Sequence, residues 1–74
     1  MTVYEFCKEE ARDQFCAIRK DGEIIEVFWV DHGDASCFSE TSRNAEVKEA
    51  EFSTLPVVNS DGYKYNVPCL FIDI

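Results

Sequence analysis

Apolar residues recur along this chain with two different periods. Near the start, Val3, Phe6 or Cys7, and Ala11 fall at helical spacing on one face. Thr2-Val3-Tyr4-Glu5 precedes them in the form of a capping box, with Thr2 accepting from the Glu5 amide and the Glu5 side chain reaching back. This predicts a helix from about Val3 to Asp13. A short edge strand over Val3 to Cys7 is the alternative, because Val, Tyr and Phe also suit strands.

The pattern then changes to that of paired strands. Phe15-Cys16-Ala17-Ile18-Arg19-Lys20 and Glu23-Ile24-Ile25-Glu26-Val27-Phe28-Trp29-Val30 flank Asp21-Gly22, a dipeptide suited to the positive φ angles of a tight hairpin turn. A two-residue turn pairs Lys20 with Glu23, Ile18 with Ile25, Cys16 with Val27 and Phe15 with Phe28, which sends Trp29 to the opposite face. The second strand is apolar on both faces, so a central, doubly covered position is expected.

His32-Gly33-Asp34 reads as a turn, Ala35 to Phe38 as a short strand and Ser39 to Asn44 as a loop. Ala45-Glu46-Val47-Lys48-Glu49-Ala50-Glu51-Phe52 contains mostly good helix formers and predicts a short helix that ends before Pro56. Val57-Val58 and Tyr63-Lys64-Tyr65 flank Asn59-Ser60-Asp61-Gly62, a second hairpin signal. Pro68 fits a bulge or an edge, and Cys69-Leu70-Phe71-Ile72 makes a last strand. The sum is one α+β domain over residues 1–74, with a small antiparallel sheet of four to five strands and two short helices.

Composition bounds what such a domain can do. At 74 residues, with 46% hydrophobic and 30% charged residues, the chain is globular but has little room for a deep cleft. Fifteen acids against seven bases give a net charge of -8, which argues against direct contact with nucleic acid or an anionic membrane. No signal peptide or membrane span is readable, so a cytoplasmic location is expected. Cys7, Cys16, Cys37 and Cys69 lack close C-x-x-C pairing, and reduced, buried thiols are expected rather than a zinc site.

The sequence offers little for catalysis. His32 could pair with a cysteine, and Asp31-His32-Gly33-Asp34 could offer metal ligands, but Asp and Gly favour turns for backbone reasons alone. No phosphate loop or dinucleotide fingerprint is present. A non-enzymatic protein with no metal and no cofactor is expected.

The distribution of charge says more. From Asp21 to Asp34 the acids are Asp21, Glu23, Glu26, Asp31 and Asp34, with no base among them. Glu40, Glu46, Glu49 and Glu51 follow, against Arg43 and Lys48. Such carboxylates can stand in for phosphates and speed association with a basic partner. The expected partner is the basic surface of a nucleic-acid-binding protein, contacted by Glu23, Glu26, Trp29, Asp31, Asp34, Glu46 and Glu49, with Tyr63 as a further anchor. The chain reads as a complete small gene product. By class, acidic proteins of this kind include the stoichiometric inhibitors that phages direct at host defence, such as anti-restriction and anti-CRISPR proteins, which act in the host cytoplasm. A homodimer through Leu70-Phe71-Ile72 would follow if that strand lay at an edge.

Glu26-Val27-Phe28-Trp29-Val30-Asp31-His32-Gly33-Asp34 resembles the Tudor-domain signature, a strand ending in an aromatic followed by Asp-Tyr-Gly-Asn or a close variant. Phe15-Cys16-Ala17-Ile18 looks like the preceding Tudor strand, and Phe52-Ser53-Thr54-Leu55-Pro56 is similar to the segment after the barrel in extended Tudor domains. The resemblance spans about residues 14–56. It implies, as the alternative fold, an SH3-like or Tudor-like barrel that reads methylated arginine or lysine peptides. By position, Phe15, Trp29, His32 and Asp34 would form the methyl-ligand cage, acting through cation–π attraction.

Overall fold

The computed structural model describes all residues from Met1 to Ile74. The elements run α1 (Val3–Glu10), β1 (Gln14–Lys20), β2 (Glu23–Val30), a 3-10 turn (Ala35–Cys37), α2 (Glu40–Arg43), β3 (Glu49–Val58) and β4 (Lys64–Asp73). The strands form one sheet in the order β2-β1-β4-β3. This is an α+β domain with four strands and two short helices.

Local chemistry sets the α1 boundary and both hairpins. The capping box at Thr2 and Glu5 is formed, and α1 ends earlier than expected, before Ala11. Asp21 and Gly22 adopt the positive φ angles of 53° and 82° that the first turn requires. Around the second turn, Asn59 Oδ1 accepts from the Asp61 and Tyr63 amides at 2.9 Å, and the β3–β4 ladder resumes at Val58 and Lys64.

Five expectations are corrected by the structure. The sheet is mixed rather than wholly antiparallel, because β1 and β4 run parallel from Phe15–Cys69 to Arg19–Asp73. Residues 49–52 belong to β3 rather than to a helix, since pairing with β4 outweighs their weak helical preference. Ala35–Cys37 is a 3-10 turn capped by the Asp34 side chain, and α2 replaces the expected loop, capped by Ser39. β2 is an edge strand, not a covered central one. The sheet is open, with β2 and β3 at its margins rather than paired to close a barrel.

The first hairpin also departs from simple register. Lys20 pairs with Glu23 and Arg19 with Ile24, but Ile18 then pairs with Glu26, leaving Ile25 as a bulge. From there Ala17 meets Val27, Cys16 meets Phe28 and Phe15 meets Trp29. One inserted residue therefore moves Trp29 to the face of Phe15 and Phe28 to the face of Cys16.

Paired residues share a face of the sheet, so the two faces follow from the register. Cys16, Ile18, Leu70 and Ile72 face α1 and pack with Val3, Cys7, Ala11, Val30, Ala35 and Phe38 in the main core. Each large side chain buried there contributes about 1.5–3 kcal/mol. The other face carries no helix. There Ala17, Cys69 and Phe71 are covered only by Phe15, Val27 and Leu55, and the Arg19 guanidinium lies 4.7 Å from the Phe71 ring centroid. Beyond the Phe15–Cys69 pair, β3 and β4 continue as a two-stranded ribbon, so Pro68 has no β1 neighbour to deprive of a hydrogen bond.

Candidate interaction surface

The seven acidic and aromatic residues expected to meet a partner do not form one patch. Glu23 opens β2 at one end of the sheet and Asp31 follows Val30 at the other. At about 3.3 Å per residue they are roughly 25 Å apart. Glu49 begins β3 at the Glu23 end, paired with Asp73 and separated from Glu23 by the full width of the sheet.

The carboxylates also differ in what they already hold. Glu26 is turned to the helix face, where it accepts from the Ser39 amide at 2.9 Å, the Ser39 hydroxyl at 2.8 Å and the Ser42 hydroxyl. Partial burial opposes its charge, but these bonds outweigh burial and hold its carboxyl below the usual range. Glu26 is thus committed to tying β2 to α2. Glu46 accepts from the Met1 amine at 2.6 Å. Beside Glu49, Arg19 binds Asp73 at 2.7 Å and Glu51 at 3.0 Å, so that end carries its own counterion.

The end formed by residues 31–34 is different. Glycine at position 33 allows the chain to pass against α1: its φ is +72°, and a Cβ there would lie 2.7 Å from the Cys7 carbonyl oxygen. His32, at φ 52°, donates its amide to Asp13 Oδ1 at 2.7 Å. That bond, above all, holds the Asp13 carboxyl below its ordinary range. Asp34 is held low by the Ser36 amide that it caps. The His32 ring lies between two acids, with Nδ1 3.6 Å from Asp13 and Nε2 3.7 Å from Asp31. Asp13, Asp31 and His32 are all exposed, and their ligand atoms lie within 4.8 Å of one another. They could hold a cation, although solvated acids adopt such arrangements without one.

Next to this acidic turn the bulge has built an aromatic step. The Phe15 and Trp29 rings meet edge to face at 5.1 Å, with Trp29 51% exposed. They line a shallow groove of about 230 Å³ with Val67, Pro68, Gln14 and Asp13. Of the four expected cage residues, Phe15 and Trp29 line this groove, whereas His32 and Asp34 do not. Asp13, absent from the sequence expectation, stands at its rim. Its only sequence signal was its place just ahead of the β1 aromatic. Also missed was the exposure of Ile24, Ile25 and Phe28, at 45%, 48% and 43%. These three and Trp29 make β2 an apolar margin with acids beyond both ends.

The remaining candidates are elsewhere. Tyr63 is 70% exposed beside the second turn, on the side of the molecule marked by the projecting ribbon. Leu70, Phe71 and Ile72 lie in β4, between β1 and β3, so the homodimer through that strand is not available. Cys7, Cys16 and Cys69 are buried, and Cys37 is exposed. Contact with the Cys7 thiol and then burial raise the Cys16 thiol, and burial raises that of Cys69, so both stay protonated and unreactive. No helix is long and apolar enough to cross a membrane. No known family, curated protein or solved structure matches this chain.

Proposed function

We propose that this chain is a non-enzymatic, acidic binding protein that occupies a basic surface of a nucleic-acid-binding partner. One observation carries this reading. β2 exposes an apolar run between Asp21 and Glu23 at one end and Asp31 and Asp34 at the other, with no base from residue 21 to residue 34. Apolar area supplies affinity, while the acids supply steering and selection for positive charge. The contact set narrows to Glu23, Trp29 and Asp31, because Glu26, Glu46 and Asp34 are engaged within the chain and Glu49 lies at the opposite margin of the sheet. A partner covered in this way loses access to its own phosphate-bearing ligand, as under stoichiometric inhibitors of host defence acting in the cytoplasm.

Affinity capture from lysate, washed at low and then high salt, tests this. The expected result is a basic nucleic-acid-binding protein that is released by salt and displaced by DNA or RNA. Reversing Glu23 and Asp31 together, neither of which caps a helix or turn, should abolish capture while leaving the urea midpoint in place. Capture that survives the reversal refutes the reading.

A second reading draws on the convergence of Phe15 and Trp29 beside Asp13. Two aromatic rings and a carboxylate suit a methylated lysine or arginine, bound by cation–π attraction. Trp29→Ala would then abolish binding of a methylated peptide and preserve the fold. A titration in which no methylated peptide moves a resonance of Phe15 or Trp29 removes this alternative.

A further inference from the structure

We infer that the outer edge of β2, over residues 26–29, docks an extended basic segment of the partner by strand addition, a step that rests on the acidic-binder reading and names the surface it uses. The sheet has two margins, and they differ. β3 carries Pro56, eighth of its ten residues, which removes an amide donor from the ribbon part of that edge, and its first residues lie beside Arg19, which is bound to Glu51. β2 contains neither proline nor lysine. Its backbone groups make no bond outside the pairing with β1, so its outward row is unpaired, and it is at least partly exposed from Glu26 to Trp29, where the fully buried Val30 closes it. The bulge at Ile25 bends the strand beyond it and confines the regular run to Glu26 through Val30, paired one for one with Ile18 through Gln14. The four residues 26–29 span roughly 13 Å, enough for a short extended peptide.

The side chains along that run define the peptide. Phe28 stands on the helix face against Phe38, with ring centroids 5.6 Å apart, and Trp29 stands on the open face against Phe15. An added strand would place alternate side chains over these two aromatic pairs, where apolar groups or the stems of Lys and Arg fit. Beyond Val30 the peptide meets Asp31 and Asp34. Beyond the bulge it meets Glu23 and Asp21. Lys20, the base nearest that end, pairs with Glu23 from the β1 side, away from the outer edge. The occupant is therefore apolar at its centre and basic at its ends. A second copy of this chain is a poor occupant, because antiparallel β2 strands would bring the Glu23 end of one to the Asp31 end of the other, between molecules each carrying a charge of -8.

The test uses a capped peptide of alternating Lys and Val, titrated into the isotope-labelled protein at low salt. Amide shifts should concentrate from Ile24 to Asp31, and exchange of the outward amides should slow. The same peptide with alternate backbone nitrogens methylated keeps its charge but cannot complete the ladder, and should bind at least about ten-fold more weakly. Reversing Glu23 and Asp31 together should weaken the unmethylated peptide about ten-fold. Equal binding of both peptides, or shifts confined to the Arg19–Glu51 end, overturns edge docking while leaving the acidic-binder reading intact. So does absence of peptide binding when lysate capture succeeds. Failure of lysate capture removes the acidic-binder reading itself. Concentration-dependent shifts along β2 without peptide would make the occupant a second copy and overturn the inference.

Discussion

Glu26 provides the sharpest test of how this fold is held together, because its carboxylate is the tie between the edge strand and the α2 segment. Glu26→Ala removes three hydrogen bonds at once, from the Ser39 amide, the Ser39 hydroxyl and the Ser42 hydroxyl. A bond to a charged group contributes about 1.5–3 kcal/mol when it is desolvated. Ser39 is exposed, so water replaces its two bonds at small loss. Ser42 is only 2% exposed, and its hydroxyl is left without a partner. The expected cost is about 2–3 kcal/mol against a total stability of about 5–15 kcal/mol. For a domain of this size that lowers Tm by roughly 10–20 °C. Urea unfolding followed by Trp29 fluorescence and far-ultraviolet circular dichroism measures it. The pH dependence supplies an internal control. The hydrogen bonds lower the folded carboxyl's pKa, so its contribution is complete above the unfolded value near ~4.3 and is lost as pH falls through the folded one. Wild type and variant should therefore differ at pH 7 and converge in acid. A difference under about 0.5 kcal/mol at pH 7, or one that persists unchanged in strong acid, refutes the assignment of Glu26 as a structural tie.

Gly33→Ala should destabilise by at least about 2–3 kcal/mol in the same assay, because both the positive φ and the Cys7 carbonyl oppose a Cβ. Gly22→Ala, with nothing within 4 Å, should cost only about 1 kcal/mol for its conformation. Native alkylation should modify Cys37 alone, whereas denaturant should expose all four cysteines to mass-shifting label. Trp29→Ala should cost about 2–3 kcal/mol for the covered half of the ring and its contact with Phe15, leaving the domain folded, yet reduce partner capture markedly.

The features legible in the sequence were those fixed within a few residues. Thr2 with Glu5, Asp21-Gly22 and Asn59 through Gly62 each carry their own backbone chemistry, and each is where the sequence places it. Long-range pairing was not legible. Nothing near Gln14 signals that β1 will run parallel to a strand some fifty residues away. Residues 49–52 suit a helix locally and become a strand only because β4 is there to pair with them. The apolar run of β2 resembles a central strand, and its position at a margin depends on which of β1's two sides β4 occupies. The site shows the same division. The acids were countable from sequence, but their separation to two ends, the internal engagement of Glu26 and the meeting of Phe15 with Trp29 depend on sheet order and a single bulged residue.

The place of β4 in the sheet has a consequence for how the protein is made. β4 joins β1 to β3, yet it follows both in chain order. During synthesis the first hairpin can close as soon as it emerges, but the Ile18 and Cys16 side chains have no Leu70 and Ile72 to pack against until some fifty further residues have been joined. The parallel β1–β4 ladder closes a long loop whose entropy must be overcome before any of its contacts form. Folding should therefore be late and all-or-none, with α1 and the first hairpin exposed to chaperones or proteases until β4 arrives.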